Sequence, residues 1–171
     1  MKIYIMRHGN ATWPDQAYAT NDDARPLTDL GRREVALMAR VLGQLGGDPD
    51  LILSSPLVRA RQTAEIVSEH FGARVKITEA VDLAPGGAPA GVLAQILREG
   101  RPAETLISGH MPGVGMLAGF LAWNQRDAAI RFRTSGICRI DLPDDDPAPG
   151  YGDLRWLIPP KVGERILKFG T

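Results

Sequence analysis

The chain has 171 residues, of which 44% are apolar and 23% charged, so it is long enough to bury one sizeable core. Twenty Lys and Arg residues balance twenty Asp and Glu residues, which argues against a general nucleic-acid or anionic-membrane binder because such proteins need a cationic face. The single cysteine, Cys138, excludes an internal disulfide and a cysteine-based zinc site. We therefore expect residues 1–171 to form a single domain.

The amino-terminal residues bear on where the protein acts. Only a very short apolar run precedes Arg7, too short for the core of a signal peptide. No stretch of the chain approaches the length that spans a membrane. We expect a cytoplasmic protein with neither a membrane nor a nucleic-acid partner.

Strand and helix patterns alternate along most of the chain. Short β-rich or apolar runs predict strands at residues 2–6, 51–53, 75–78, 105–108, 130–133, 137–142 and 154–158. Apolar residues on one helical face predict helices from a Thr28 cap to Gly46, from the segment 54–56 to Gly72, over 92–98, and around 114–121. This order implies an α/β protein, a three-layer α/β/α sandwich with a mostly parallel central sheet.

The second predicted helix follows the segment Ser54-Ser55-Pro56. Serine is a common N-cap, and proline is favoured at the first position of a helix because its missing N–H has no partner there in any case. We therefore predict that a serine of this segment caps the helix.

Three predicted strands end in residues that suit a phosphoryl group. The first strand leads into Arg7 and His8, the second into a helix whose first turn holds Arg59, and the fourth into His110. Parallel strands bring their carboxyl ends to one edge of a sheet, where helix N-termini also direct free N–H groups at ligands. We expect these four side chains to meet at that edge.

Each of these residue types has a chemical use there. The guanidinium groups of Arg7 and Arg59 match phosphoryl oxygens bidentately and offset the charge that develops during transfer. A neutral imidazole is a nucleophile near pH 7, so one histidine of His8 and His110 can accept the phosphoryl group while the other donates a hydrogen bond. Gly9 would let the backbone approach the ligand closely.

The chain contains four ordered motifs: RHG at 7–9, RPLTDLG at 25–31, SPLVRARQT at 55–63 and HMPGVG at 110–115. Together they resemble the histidine phosphatase (phosphoglycerate mutase-like) superfamily. The short chain and the Arg-Pro-Leu-Thr segment are most similar to the small bacterial phosphohistidine phosphatases. The resemblance runs from Met1 to about Leu121 and implies a phosphoglycerate mutase-like fold.

The resemblance also implies roles for single residues. His8 would be the nucleophile that becomes phosphorylated, Arg7 and Arg59 would clamp the phosphoryl oxygens, and His110 would complete the pocket. The family implies neither a metal nor another cofactor. Relatives that act on alkyl phosphates carry an acidic proton donor after the third strand, and Asp82 is the first positional candidate for it here, with Glu79 second.

Two further residues near the site have alternative interpretations. Arg25 either guides an anionic substrate at the pocket mouth or pairs with Asp22 or Asp23. Asn10 either bonds a phosphoryl oxygen or caps the turn after His8. The residues alone leave both pairs of alternatives open.

The leaving group favours one substrate class. An alkoxide needs a proton from a general acid, whereas the imidazole of phosphohistidine leaves with less help, so a weak or misplaced acid suits N–P hydrolysis. The stretch 78–92 has little room for a helical lid, and an open pocket admits a histidine displayed on another protein. The leading hypothesis is therefore hydrolysis of phosphohistidine on a phosphorylated protein.

Three other functions compete with it. The nearest is a phosphatase or mutase for small phosphate esters. A non-catalytic phosphate-binding module would keep the arginines without needing both histidines. A metallohydrolase would need carboxylate ligands, and two histidines without an obvious carboxylate cluster make a poor zinc or manganese site.

Overall fold

The computed structural model describes residues 1–13, 21–125 and 130–169. In that part of the chain the strands are β1 (Lys2–Arg7), β2 (Leu51–Ser54), β3 (Lys76–Glu79), β4 (Glu104–Gly109), β5 (Ile137–Asp141) and β6 (Asp153–Ile158). The α-helices are α1 (Asp29–Gln44), α2 (Val58–His70), α3 (Pro89–Arg98), α4 (Gly113–Trp123) and α5 (Pro160–Phe169). Two 3-10 turns, Asp22–Ala24 and Val81–Leu83, lie before α1 and α3.

One six-stranded sheet has the order β3-β2-β4-β1-β5-β6. The first four strands in this order are parallel, while β5 runs antiparallel to both of its neighbours. Arg7 is in register with Gly109, and Ser54 is in register with Ser108. The carboxyl ends of β1, β2 and β4 therefore lie side by side, as the sequence predicts.

Helices cover both faces of the sheet. Along β1, Tyr4 and Met6 pack into a core with α1, α2 and α5, whereas Ile3 and Ile5 pack into a second core with α3 and α4. This alternation follows from the two-residue period of strand side chains. The mostly parallel sheet and the three-layer α/β/α architecture are confirmed.

The first predicted helix begins where its sequence indicates. Thr28 is the N-cap of α1, and its Oγ1 accepts a hydrogen bond from the Gly31 backbone N–H at 3.0 Å. A capped first turn satisfies one of the four backbone donors that a helix start leaves unpaired. The amino end of α1 is thereby fixed beside the turn that follows β1.

The predicted start of the second helix is wrong by about two residues. Helix α2 begins at Val58 after Leu57, which makes no side-chain cap hydrogen bond, and Pro56 lies outside the helix. The hydroxyl of Ser55 instead accepts the Leu57 N–H at 3.3 Å and contacts His110. Ser55 therefore bonds both the residue that precedes α2 and a residue distant in sequence, but it is not the N-cap of the helix.

Two further predictions from the carboxyl-terminal third are corrected. Residues 130–133 form a loop and not a strand, because their backbone bonds other partners: Ile130 N–H donates to Gly115, and the Phe132 carbonyl accepts from Arg7. Helix α5 is absent from the prediction. It packs on α1 through Gly163, where a Cβ atom would lie 2.6 Å from Met38 Sδ.

Cys138 is a free cysteine and is fully buried in β5. Among the described helices, none combines the length and apolar character that a membrane span requires.

Candidate active site

The four phosphoryl-site candidates converge at the carboxyl edge of the sheet. Arg7 is the last residue of β1 and His8 follows it, His110 follows β4, and Arg59 is the second residue of α2. The rings of His8 and His110 have centroids 4.9 Å apart. The charges of Arg59 and Arg7 both act on each of the two imidazoles and help to lower their pKa values.

His8 is held so that one ring nitrogen is free of protons. Its Nδ1 lies 2.7 Å from the Gly9 carbonyl oxygen, and because a carbonyl can only accept, Nδ1 carries the hydrogen. The lone pair of the neutral ring is therefore on Nε2. Burial, with the nearby arginine charges, lowers the pKa of His8 to about 4, so the ring is neutral at pH 7.

Gly9 is explained by packing against α1. A Cβ atom at this position would lie 2.8 Å from Val35 Cγ2 and 3.0 Å from the Gly31 carbonyl oxygen. The Gly9 N–H donates to Thr63 Oγ1 at 3.1 Å, which ties the turn after β1 to α2. The missing side chain thus allows the turn that carries His8 to fit between two helices.

His110 has one satisfied and one unsatisfied ring nitrogen. Its Nε2 lies 2.8 Å from Ser55 Oγ, while its buried Nδ1 has no hydrogen-bond partner in the described part of the chain. Only 4% of the residue is exposed. Burial, followed by the charges of His8 and Arg59, lowers the pKa of His110 to about 3. Both histidines are therefore neutral near pH 7.

Arg7 also has a buried donor without an acceptor. Its Nη1 donates to the Phe132 carbonyl at 2.9 Å, but within the residues described its Nε has no hydrogen-bond partner. Burial, followed by the neighbouring charge of Arg133, lowers the pKa of Arg7. Since an unsatisfied buried donor costs about 1–3 kcal/mol, the site favours an acceptor-rich ligand.

Arg59 is oriented by Asp22 from the turn before α1. Its Nη1 donates to the Asp22 backbone carbonyl at 2.7 Å, and its Nη2 donates to Asp22 Oδ2 at 2.9 Å. Arg59 is 5% exposed, so this contact holds a nearly buried guanidinium in one position. The hydrogen bond from Arg25, together with the charge and hydrogen bond of Arg59, keeps the pKa of Asp22 below its usual value.

Arg25 and Asn10 both make contacts within the protein. Arg25 Nη1 lies 2.7 Å from Asp22 Oδ1, and its guanidinium carbon lies 5.7 Å from the Trp13 ring centroid. Pairing with Asp22 is therefore the alternative that the structure supports for Arg25. Asn10 Oδ1 accepts from the Thr28 hydroxyl at 2.9 Å, a contact that fits turn capping.

The candidate acids lie on the loop between β3 and α3. Asp82 Oδ1 accepts the Ala88 N–H at 3.2 Å, and its Oδ2 lies so close to α3 that a Cβ on Gly91 would be 2.0 Å away. Asp82 thus binds the amino end of α3. Glu79 ends β3 with an exposed side chain.

Sequence reasoning missed two contacts of this site. The sequence predicts a serine cap within the segment 54–56, yet Ser55 is the partner of His110. Asp22 binds Arg59 as well as Arg25. The adjacency of β2 and β4 in the sheet is the signal for the first contact, since it places the residues after Ser54 beside those after Ser108. No sequence signal identifies the second.

No group of three or more His, Cys, Asp and Glu side chains among residues 1–13, 21–125 and 130–169 is arranged to hold a metal ion.

A profile of the histidine phosphatase superfamily (branch 1) matches residues 3–107. The chain belongs to this superfamily.

Two relatives cover nearly the whole histidine phosphatase chain. Phosphohistidine phosphatase SixA of Escherichia coli is 32% identical, over 94% of this chain and 94% of its own. An uncharacterized protein of Picosynechococcus is 36% identical, over 93% of this chain and all of its own. These relatives support membership of the small bacterial phosphohistidine phosphatase group.

A solved structure extends the likeness to the fold. The protein histidine phosphatase SixA complexed with tungstate aligns with a TM-score of 0.81 and 31% identity, covering 94% of this chain and 98% of that one. The phosphoglycerate mutase-like fold is thus confirmed. The protein is a phosphatase of the histidine phosphatase superfamily.

Proposed function

We propose that this phosphatase hydrolyses the N–P bond of phosphohistidine on a protein, through a covalent phospho-His8 intermediate. The observation that carries the proposal is the Nδ1 hydrogen bond of His8 to the Gly9 carbonyl at 2.7 Å. It leaves the Nε2 lone pair available in a neutral ring. Arg7, Arg59 and His110 surround that ring with the charges and donors that a phosphoryl group requires.

The reaction has two displacement steps. In the first, the Nε2 lone pair of His8 forms a bond to phosphorus while the bond between phosphorus and the substrate imidazole breaks with its electron pair. The released imidazole takes up a proton from water or from an acid of the site. In the second, water attacks phospho-His8, and orthophosphate and neutral His8 are regenerated.

The surrounding donors stabilise the transferring group. Arg59, oriented by Asp22, retains N–H groups for the phosphoryl oxygens, and the unpaired Nε of Arg7 gains an acceptor when the phosphoryl group binds. If the Ser55 hydroxyl donates to His110 Nε2, the ring hydrogen is on Nδ1, which then donates to a phosphoryl oxygen. Asn10 and Gly9 contribute by shaping the turn that carries His8.

The contacts of Asp82 support phosphohistidine as the substrate. Its carboxylate accepts the Ala88 N–H at the amino end of α3. This contact competes with a role of Asp82 as proton donor to the leaving group. An imidazole leaving group tolerates a poor acid better than an alkoxide does. We therefore assign Asp82 a minor role in N–P hydrolysis. Hydrolysis of small phosphate esters through the same intermediate is the alternative.

The similarity to SixA supports the same substrate class, since that relative is named a phosphohistidine phosphatase. The partner would be a phosphorylated protein in the cytoplasm, and residues 1–171 would act as one histidine phosphatase domain without a metal.

The intermediate is tested by trapping. Wild-type protein is mixed with a 32P-labelled phosphohistidine peptide and quenched in acid or in alkali. We expect a label on His8 that survives alkali and is lost in acid, because an N–P bond to imidazole is acid-labile. His8→Ala should abolish both labelling and turnover, whereas His70→Ala, at an exposed position in the last turn of α2, should retain both. An acid-stable label, or a label on another residue, would contradict the proposal.

The substrate class is tested by rates. kcat/KM is compared side by side on a phosphohistidine protein, a phosphohistidine peptide and a panel of small phosphate esters. We expect the phosphohistidine substrates to be hydrolysed fastest. A faster rate on an ester would favour the alternative.

A further inference from the structure

A groove beside Arg7 is larger than the phosphoryl site requires. Its volume is about 810 Å³. Among the residues that the structure describes, six line it, and we call it the arginine groove: Arg7, Met111, Pro112, Arg131, Phe132 and Arg133. Sites of 300–1,000 Å³ typically hold ligands far larger than a phosphate ion. The groove therefore has room for part of the substrate that surrounds the phosphoryl group.

The charge of the arginine groove is positive. Arg131 and Arg133 are exposed, and neither forms an ion pair with any residue in the described part of the chain. Burial is the larger cause of the lowered pKa of Arg7, and the charge of Arg133 is the second cause. Since the whole chain carries no net charge, this local excess marks one place on the surface.

The two groove arginines are carried by a loop with fixed attachments. The Phe132 carbonyl accepts from Arg7 Nη1 at 2.9 Å, and the Phe132 side chain between the two arginines is buried. Ile130 N–H donates to the Gly115 carbonyl at 3.2 Å, which joins the loop to α4. The backbone at Arg131 and Arg133 is thus held at a set position relative to Arg7.

The groove also offers apolar surface. Met111 is half-buried and Pro112 is exposed, and both belong to the turn that follows His110. An occupant that matches the groove carries negative charge for the arginines and some apolar surface for this turn. A polypeptide segment with acidic side chains has both, and it can be continuous with the histidine that enters the site.

We propose that the arginine groove binds an acidic segment of the substrate protein adjacent to its phosphohistidine. This rests on the proposed function, because the segment is placed by the phosphohistidine it flanks. Arg131 and Arg133 are then specificity-determining residues that select the protein substrate. Charged groups at the edge of an interface act mainly on the rate of association and on partner choice.

The test uses two short peptides that share one histidine phosphorylated with phosphoramidate. In the first peptide glutamates flank the histidine on both sides, and in the second each is replaced by the isosteric glutamine. N-phosphoimidazole, which has no flanking groups, is the third substrate. For the wild-type protein we expect kcat/KM to be about tenfold higher on the Glu peptide than on the Gln peptide at low salt. This ratio should shrink toward 1 near 1 M salt, where the Debye length is about 3 Å.

Charge reversal locates the preference. In the double variant Arg131→Glu with Arg133→Glu, the Glu/Gln ratio should fall below 1. The neutral double variant Arg131→Gln with Arg133→Gln should bring the Glu/Gln ratio close to 1. This second variant tests the same point if the charge-reversed variant folds poorly. The matched control is Arg40→Glu with Arg98→Glu, two exposed arginines of α1 and α3, which changes the net charge equally and should retain the wild-type ratio.

The outcomes separate the two proposals. If wild-type protein hydrolyses N-phosphoimidazole and both peptides, but with equal kcat/KM on the peptides, the arginine groove does not select acidic segments and the proposed function stands. If the control variant loses the preference as fully as the groove variant, net charge and not the groove is responsible, and the inference is overturned. If no phosphohistidine substrate is hydrolysed while an alkyl phosphate is, the proposed function fails and the inference fails with it.

Discussion

His8 and His110 form a pair of imidazoles whose ring planes are inclined by 53° and whose centroids lie 4.9 Å apart. Each ring is held by a different oxygen, the Gly9 carbonyl for His8 and the Ser55 hydroxyl for His110. Burial first, then the charges around them, lowers the pKa of the two rings to about 4 and about 3. The pair is therefore uncharged in the folded protein over the whole neutral range.

This pair should make stability depend on pH. Well above pH 6.5, the usual pKa of histidine, both rings are neutral in the folded and the unfolded chain, so they do not make stability depend on pH. As the pH falls from 6.5 toward 4, the unfolded chain binds protons that the folded chain does not. The free energy of unfolding should then decrease, by up to about 1.4 kcal/mol per pH unit for each ring. Urea unfolding at pH 7.5, 6 and 5 measures it.

A variant identifies the source of that dependence. His110→Gln cannot titrate but can still bond Ser55, so its stability should fall less steeply between pH 6.5 and 5 than that of the wild type. An unchanged slope would mean that His110 does not produce the effect.

Arg59→Lys should be a poor enzyme. Asp22 holds two guanidinium nitrogens of Arg59, and a lysine ammonium cannot bind Asp22 in this way and also present a fork to the phosphoryl group. We expect kcat to fall on the order of 10²–10³-fold. Arg61→Lys is the matched control, because Arg61 is exposed and pairs with Glu65 one helical turn further along α2. Its activity should be close to that of the wild type. Near-normal activity of Arg59→Lys would place Arg59 outside the phosphoryl site.

Ser55 is expected to act as a positioning residue for His110. Ser55→Ala removes the oxygen 2.8 Å from Nε2, so the ring loses its orientation and kcat should fall about tenfold with little change in KM. The control Ser54→Ala removes a buried hydroxyl that donates to the Ser55 carbonyl. It should lower the free energy of unfolding about as much as Ser55→Ala does, but it should not lower kcat. Equal losses of kcat in the two variants would indicate a purely structural role.

The substitution Asp82→Asn distinguishes a role of Asp82 as proton donor from its contact with the start of α3. Asparagine retains an oxygen that can accept the Ala88 N–H, so the variant removes the acidic proton while keeping the start of α3. We expect a larger loss of rate on alkyl phosphates than on phosphohistidine. An ester phosphatase that used Asp82 as its acid would lose about 10²–10⁴-fold on its ester. A loss of that size on phosphohistidine would instead make Asp82 an essential catalyst.

Activity should survive exhaustive chelation, because Arg7 and Arg59 supply the positive charge that a cation would otherwise bring to the phosphoryl oxygens. The measurement is kcat before and after dialysis against a strong chelator. Loss of activity that Mg²⁺, Mn²⁺ or Zn²⁺ restores would overturn the metal-free mechanism.

The sequence was most informative where local pattern and topology agree. The strand patterns that end at Arg7 and before His110 indicate that both residues leave the same edge of a parallel sheet, and the structure brings them together. The cap at Thr28 is equally local, since its hydroxyl bonds a backbone N–H three residues away. The cap depends on neighbours along the chain, and the meeting of Arg7 and His110 depends on the parallel order of β1 and β4.

Other features depend on residues that only folding brings near. Helix α5 contacts α1, and residues 130–133 bond Arg7 and Gly115 across more than fourteen positions of sequence, so the strand pattern of that segment was misleading.

The sequence by itself therefore determined the α/β architecture and which residue types meet at the sheet edge, because strand period and parallel order dictate both. The tertiary structure alone decided that Asp22 orients Arg59, that Ser55 serves His110 and not a helix cap, and that Asp82 binds the start of α3. The physical reason is that a hydrogen bond depends on distance and direction between side chains, and no periodicity in the sequence specifies these.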